Sequence, residues 1–193
     1  MLLLVSGASG VGKSTSRAIA APLLGDAVEA VELVDLGPIP PVPTIAWRQQ
    51  QVETAVRRAI ELEADGRHLL LAGDPVAFGE VVAAPSADRI DVAGCLIDLD
   101  AETQTARLRE RGDPEEYLVH HLAYAAWLRR HAEDPSHLAE VLTTNCWPEM
   151  RWERWIGRTP GPPWAMHVID ADDLDRATVG AAIARWSQEA IAG

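Results

Sequence analysis

Apolar residues fall into two patterns along this chain of 193 residues. Short continuous apolar runs, bounded by Gly, Pro or Asp, predict buried β-strands, whereas longer stretches with apolar residues three and four positions apart predict helices. The short runs predict strands at residues 2–5, 31–35, 68–74, 93–99 and 166–170. The helical stretches lie at residues 14–24, 44–63, 101–111, 115–142 and 174–191. Because strands alternate with helices, we expect a three-layer, doubly wound α/β fold around a five-stranded parallel sheet.

Proline and glycine mark the irregular parts of the chain. The proline-rich stretch 37–43 is too stiff for a helix and predicts an extended loop, after which Thr44 can cap the long second helix. Pro135 breaks the helical stretch at 115–142. Residues 145–164 combine prolines and glycines with four tryptophans, Trp147, Trp152, Trp155 and Trp164. We expect this segment to be irregular and to pack on the edge of the sheet, the alternative being that it covers a substrate pocket.

Composition indicates one globular domain that spans residues 1–193, because 48% of the residues are hydrophobic and 24% are charged. The net charge of −12, from 17 Lys and Arg against 29 Asp and Glu, disfavours binding to nucleic acid. No apolar run approaches the length of a membrane-spanning helix. Cys95 and Cys146 match no metal or redox spacing. We therefore expect a cytoplasmic protein that acts neither on a membrane nor on nucleic acid.

A glycine-rich motif directly after the first predicted strand carries the most specific chemistry in the sequence. Residues 7–14 read Gly7, Ala8, Ser9, Gly10, Val11, Gly12, Lys13 and Ser14, which fits the phosphate-loop pattern G-x-x-x-x-G-K-[ST] at every position. Glycines let successive backbone N–H groups point at one anion, and the following helix adds its positive N-terminus. We expect Lys13 to reach the β- and γ-phosphates, Ser14 to hold Mg²⁺, and Thr15 to complete the binding segment.

Two carboxylates follow predicted strands. Asp35 ends the predicted second strand and Asp74 the predicted third strand. Ligands of open α/β sheets collect at the carboxyl ends of the strands, so we expect Asp35 to lie beside the phosphate loop. The alternative for Asp35 is a turn-opening residue that bonds its own backbone.

The strand pattern, the N-terminal phosphate loop and the arginines after strand four together resemble the small P-loop kinases. This group includes nucleoside monophosphate kinases, shikimate and gluconate kinases and chloramphenicol phosphotransferase. The resemblance covers nearly the whole chain in layout, but only residues 7–14 form a highly specific motif. It implies a sheet in the order 2-3-1-4-5, ATP with Mg²⁺, and a mobile lid at about residues 112–142.

The resemblance also implies roles for residues outside the loop. Arg107 and Arg111 look like the lid-border arginines that clamp the transferring phosphate in these kinases. Their alternative is an exposed helix face that pairs with neighbouring glutamates. Asp35 resembles the carboxylate that accepts the proton of the attacking hydroxyl in several small-molecule kinases.

One departure from the family pattern concerns the phosphoryl acceptor. Monophosphate kinases usually follow strand three with Asp-Gly-x-Pro-Arg, whereas this chain has Gly73, Asp74, Pro75 and Val76 without an arginine. A small molecule with a hydroxyl is therefore favoured as acceptor over a nucleotide. Asp74 either orients a Mg²⁺-bound water and the acceptor or is a structural residue before proline.

The acceptor site is expected at the start of the second helix, where Trp47 and Arg48 offer an aromatic face and a guanidinium. The alternative is a core tryptophan and a solvated arginine. The resulting hypothesis is an ATP-dependent kinase of a small-molecule hydroxyl. A nucleoside or nucleotide kinase, or a P-loop ATPase that acts as a nucleotide-dependent switch, is the alternative function.

Overall fold

A computed structural model describes residues 1–159, 161 and 164–193, which form a five-stranded parallel sheet in the order β2-β3-β1-β4-β5. The strands are β1 (Leu2–Ser6), β2 (Val28–Glu32), β3 (His68–Ala72), β4 (Val92–Asp98) and β5 (His167–Asp170). The sheet order and the parallel pairing confirm the predicted doubly wound fold. Pro160, Pro162 and Pro163, in the segment predicted to be irregular, lie outside the described residues.

Helices connect the strands, and Thr44 caps one of them as the sequence predicts. They are α1 (Lys13–Leu24), α2 (Ile45–Glu63), α3 (Phe78–Ala83), α4 (Ala101–Arg111), α5 (Glu115–Glu133), α6 (Glu140–Thr143) and α7 (Arg176–Ala192). The Thr44 hydroxyl accepts a hydrogen bond from the Trp47 amide at 3.1 Å, and Asp100 accepts one from the Thr103 amide at 2.7 Å. The short α3 was not predicted, because a helix of six residues is too short to show a helical periodicity in the sequence.

The two central strands, β1 and β3, are buried on both faces. Leu2, Leu3 and Leu4 of β1 and residues 69–71 of β3 are at most 1% exposed, as expected for parallel strands that are covered by helices on both sides. Among the described residues, no helix combines the length and the apolar character needed to cross a membrane.

The prediction for β2 was wrong in its bounds. The strand covers Val28–Glu32, and residues 33–35, which we predicted as its end, form a 3-10 turn. Leu33 is fully buried. Its apolar side chain therefore packs into the core from the turn and does not indicate a strand at this position. Because β2 is an edge strand and only Val28 in it is buried, its mixed polar sequence is tolerated there. The carboxylate at the end of this strand is therefore Glu32 and not Asp35.

The second half of the predicted lid is anchored to the sheet and to α3. The Arg129 guanidinium of α5 donates to both carboxylate oxygens of Asp98, at 2.7 and 2.8 Å, and to the Leu99 carbonyl. Tyr124 donates to the Pro75 carbonyl at 3.0 Å. These bonds connect α5 to the rest of the fold from Tyr124 onward, and the lid predicted for residues 112–142 stays a prediction.

Two tryptophans of the tryptophan-rich segment, Trp155 and Trp164, pack against α5 in an aromatic cluster. His131 of α5 stacks on Trp127 at a ring distance of 4.5 Å and meets the edges of Trp155 and Trp164 at 5.5 and 4.9 Å. Its Nε2 accepts a hydrogen bond from the Gly79 amide at 3.3 Å. Trp155 and Trp164 are 2% and 5% exposed, so these two tryptophans belong to the core. They pack as expected, but their indoles bond to Gly79 of α3 and His131 of α5 and not to the edge of the sheet.

The buried His131 is expected to make the fold acid-sensitive. Burial lowers the pKa of His131 from 6.5 to about 4. The unfolded chain therefore binds a proton that the folded chain does not, and stability falls as the pH drops from 6.5 towards 4. We expect a loss of about 3 kcal/mol in the free energy of unfolding across this window. Urea unfolding at a series of pH values measures it.

The matched variant is His131→Gln, which keeps an oxygen to accept from the Gly79 amide but does not titrate. Other groups titrate equally in both proteins, so the difference between wild type and variant isolates the histidine. Parallel stability curves for the two proteins between pH 4 and 6.5 would show that His131 carries none of the acid sensitivity.

Candidate active site

The loop between β1 and α1 has the backbone of an anion cradle. Gly7, Gly10 and Gly12 have φ angles of +149°, +87° and +98°, which side-chain-bearing residues rarely adopt. At Gly7 there is also no space, because a Cβ would lie 2.8 Å from both the Ile97 carbonyl oxygen and the Val11 side chain. The glycines of the motif are thus required by the shape of the loop.

Lys13 begins α1 and folds back over this loop. Its ammonium donates to the carbonyls of Gly7 and Ala8, at 2.7 and 2.9 Å, and the residue is 5% exposed. Burial lowers the pKa of Lys13 to about 7, an effect that the carboxylates of Asp74 and Glu32 only partly offset. A bound polyphosphate would place negative charge next to this buried amine and so favour its protonated form.

The arginines of α4 close the other side of the loop. Arg107 donates to the Val11 carbonyl at 3.4 Å, and Arg111 forms two bonds to Asp113, at 2.8 and 2.5 Å. The loop and the C-terminal half of α4 together line one cavity of about 440 Å³. It is lined by Ser9, Gly10, Gly12, Lys13, Ser14, Thr15, Gly73, Arg107, Glu110, Arg111 and Arg176. The structure therefore brings most of the predicted nucleotide-binding residues and both predicted arginines to one cavity.

The cavity is positively charged in an acidic protein. Lys13, Arg107, Arg111 and Arg176 line it against one carboxylate, Glu110, whereas the whole chain carries a net charge of −12. Such a local excess of positive charge attracts a polyanion despite the global charge. Sequence reasoning missed Arg176, which begins α7 next to its capping residue Asp175; the available signal was its place at the start of the helix that follows β5.

Two carboxylates lie at the ends of neighbouring strands beside Lys13. Glu32 ends β2 and pairs with Arg17 of α1 at 3.2 Å, and Asp74 follows β3. Burial raises the pKa of Asp74, while Lys13 and Arg48 act in the opposite direction and Glu32 reinforces the shift. Asp74 thus lies within electrostatic reach of the phosphate-loop lysine. Glu32 was missed because the strand was predicted three residues too late.

Asp35 lies in a different environment. Its carboxylate accepts a hydrogen bond from the Glu32 amide at 3.0 Å within the 3-10 turn, as in the turn interpretation of this residue. It lines a separate surface concavity with residues of α2, among them Thr54, Arg57 and Arg58. The structure therefore does not bring Asp35 together with the phosphate loop, contrary to the expectation for a strand end.

Of the two predicted acceptor-site residues, one lies near Asp74. Arg48 donates twice to the fully buried Glu80, at 3.0 and 2.8 Å, and its charge influences the pKa of Asp74. Trp47 is half-buried, and its indole donates to the Pro38 carbonyl of the proline-rich loop at 3.2 Å. The solvated-arginine alternative is wrong for Arg48, because Glu80 holds it in place. A role of Trp47 in substrate binding stays a prediction.

The residues of the cavity fit a magnesium–nucleotide complex. In phosphotransfer sites Mg²⁺ takes one or two protein oxygens and completes its octahedron with phosphate oxygens and water. Ser14 is exposed and lines the cavity next to Lys13, so its hydroxyl is available for this purpose. Asp74 is not among the residues that line this cavity, but it lies within electrostatic reach of Lys13.

Comparisons with known proteins support the fold. No protein-family model matches the sequence, and no curated protein matches it in sequence. Among solved structures, the chain is similar to a tunicamycin resistance protein from Deinococcus radiodurans, with 13% identity, a TM-score of 0.61 and coverage of 96% of this chain and 94% of that one.

Two structures named as kinases are also similar. A sugar kinase from Janibacter has 15% identity and a TM-score of 0.61, over 99% of this chain and 96% of the other. A gluconokinase from Sinorhizobium meliloti has 13% identity and a TM-score of 0.54, over 97% and 94%. At these identities the likeness concerns the backbone. Together with the phosphate loop, it shows that the chain has the fold of the small P-loop kinases.

Proposed function

We propose that this protein is a kinase that transfers the γ-phosphate of ATP to a hydroxyl group of a small molecule. The observation that carries the proposal is the cavity in which the phosphate loop, Lys13 and two arginines of α4 meet. Phosphoryl transfer needs little covalent work from the protein, so positioned cations supply most of the catalysis. This site offers them on opposite sides of one cavity.

Each side chain at the cavity has a defined task in this proposal. Lys13 gives up its carbonyl contacts and binds the β- and γ-phosphates, where a full positive charge becomes favourable. Arg107 and Arg111 neutralise the charge of the transferring group from α4. Ser14 would hold Mg²⁺, whose charge would offset that of the phosphate oxygens.

For the proton of the attacking hydroxyl, we propose Asp74 as general base. It lies close enough to Lys13 to influence its pKa, and burial strengthens it as a base by raising its own pKa. Asp35, the earlier candidate, is bonded to the Glu32 amide and lines another concavity. Glu32 pairs with Arg17 at 3.2 Å and is therefore a weaker candidate for the base than Asp74.

A small-molecule acceptor is supported by two observations. The chain has no arginine in the segment after β3 where monophosphate kinases place one. Two of the similar structures are named as a sugar kinase and a gluconokinase. The acceptor would lie next to Asp74. Arg48, which the buried Glu80 holds in place near Asp74, would face the acceptor from the same region. A guanidinium fixed in this way can donate to hydroxyl or carboxylate oxygens of the acceptor.

An acceptor screen with Mg²⁺ and ATP tests the proposal. We expect ADP to form only when a hydroxyl compound such as a sugar, sugar acid, nucleoside or phenol is present, with a phosphorylated product visible by mass spectrometry. Equal ADP release with and without acceptors would identify an ATPase or switch. Turnover with nucleoside monophosphates alone would identify a nucleotide kinase.

A further inference from the structure

The side chain of Gln104 is a buried amide directly beneath the phosphate loop. The residue is fully buried in α4, and its Nε2 donates to the carbonyl oxygen of Ser9 at 2.8 Å. Within the part of the chain that the structure describes, the Oε1 atom of the same amide is buried without a hydrogen-bond partner. Protein interiors avoid such atoms, and a Met or Leu would fill the same space without one. The amide is therefore explained by its contact with Ser9.

That contact determines which way a peptide group of the loop faces. The peptide between Ser9 and Gly10 is planar and trans, so its C=O and N–H groups point in opposite directions. Because Gln104 holds the Ser9 carbonyl towards α4, the Gly10 amide faces away from α4. Ser9 and Gly10 both line the cavity that we assign to the nucleotide phosphates. An N–H group held in this direction is a preformed donor for an anion.

Two neighbours of Gln104 fix the same part of the loop. Arg107 donates to the Val11 carbonyl at 3.4 Å. Leu108 lies so close to Gly10 that an added Cβ would approach it to 3.0 Å. Positions 104, 107 and 108 share one face of a helix. The loop therefore rests on one face of α4, and Gln104 is the contact that orients a peptide rather than filling space.

We propose that Gln104 is a positioning residue for nucleotide binding, which holds the Ser9–Gly10 peptide so that its N–H group faces the phosphates. The proposal rests on the proposed function, because it needs a nucleotide in the cavity. It differs from a packing role in one respect. Packing requires only the volume of the side chain, whereas this role requires the NH₂ group.

The variant Gln104→Met separates the two roles. Methionine has a similar length and fills the space but cannot donate to the Ser9 carbonyl. We expect the affinity for Mg-ATP, measured by titration calorimetry, to fall by about fivefold to tenfold, as for the loss of one neutral hydrogen bond. The KM for ATP should rise by the same factor and the KM for the acceptor should not change. The melting temperature should change little, because removal of the unpaired amide oxygen offsets the loss of the bond to the Ser9 carbonyl.

Gln51→Met is the matched control. Gln51 of α2 also has a buried amide oxygen without a partner among the described residues, and it lies beside Gly37, outside the cavity. We expect this variant to bind Mg-ATP as the wild type does. Unchanged affinity in Gln104→Met would overturn the proposal, and so would a loss of affinity that accompanies a clearly lower melting temperature. If the wild type itself does not bind Mg-ATP, the proposed function fails instead.

Discussion

Replacing Lys13 with methionine is expected to lower kcat/KM for phosphoryl transfer by about 10²- to 10³-fold, the range found when one preorganised donor to a transition-state oxygen is removed. The fold should persist, because the lysine is 5% exposed and methionine fills most of its volume. Its amine is held only by two loop carbonyls, and burial lowers its pKa to about 7. Removing it relieves the burial of a charge but leaves the two carbonyls without their donor, so the melting temperature should change little. Steady-state kinetics with Mg-ATP and thermal unfolding measure the two effects.

A second measurement is possible because Lys13 is the only lysine in the sequence. An amine-reactive acylating reagent can modify only this side chain and the N-terminal amine, so mass spectrometry resolves the two products. Mg-ATP should slow modification of Lys13 and leave the N-terminus of Met1, which pairs with Glu63, unaffected. Full activity of the methionine variant, or no protection by Mg-ATP, would contradict the assignment of the cavity to nucleotide phosphates.

The fold was predictable because its strongest determinants are local. Buried strands such as Leu2–Ser6 read as unbroken apolar runs, and alternation with helices leaves few possible sheet arrangements. The edge strand β2 was misplaced because a strand with one free edge carries no continuous apolar run. Leu33 and Val34 extend the apolar pattern past the strand into a turn, and only the pairing with β3 shows where the strand ends.

The parts of the candidate site that lie in one short segment could be predicted from the sequence, whereas those that depend on distant contacts could not. The phosphate loop is a single motif, so Gly7 to Ser14 could be identified outright. Arg107 and Arg111 were found through their place after strand four. Glu32 was missed together with the true end of β2. Gln104 was missed because its role depends on a contact over a long sequence distance, the bond to Ser9. The anchoring of α5 by Arg129 and Asp98 was hidden for the same reason.

Because Asp35 lies away from the phosphate loop and Asp74 lies near Lys13, the same substitution at the two aspartates tests which of them is the base. Asp74→Asn is expected to lower kcat by at least about 100-fold, as for the loss of a general base, with little change in the affinity for Mg-ATP. The same change at Asp35 should leave kcat within about twofold, because its carboxylate bonds the Glu32 amide and an asparagine oxygen can also accept that bond. Kinetics and calorimetry on both variants, prepared side by side, provide the comparison.

The pH profile distinguishes a base from a structural carboxylate. A base must be ionised, so kcat/KM of the wild type should fall on the acidic side with a pKa above the usual range of an aspartate, because burial raises the pKa of Asp74. Asp74→Asn should lose this acidic limb, and Asp35→Asn should keep it. If the larger loss of kcat occurs in Asp35→Asn, the 3-10 turn must rearrange on substrate binding, and the base would be the residue that the sequence first indicated.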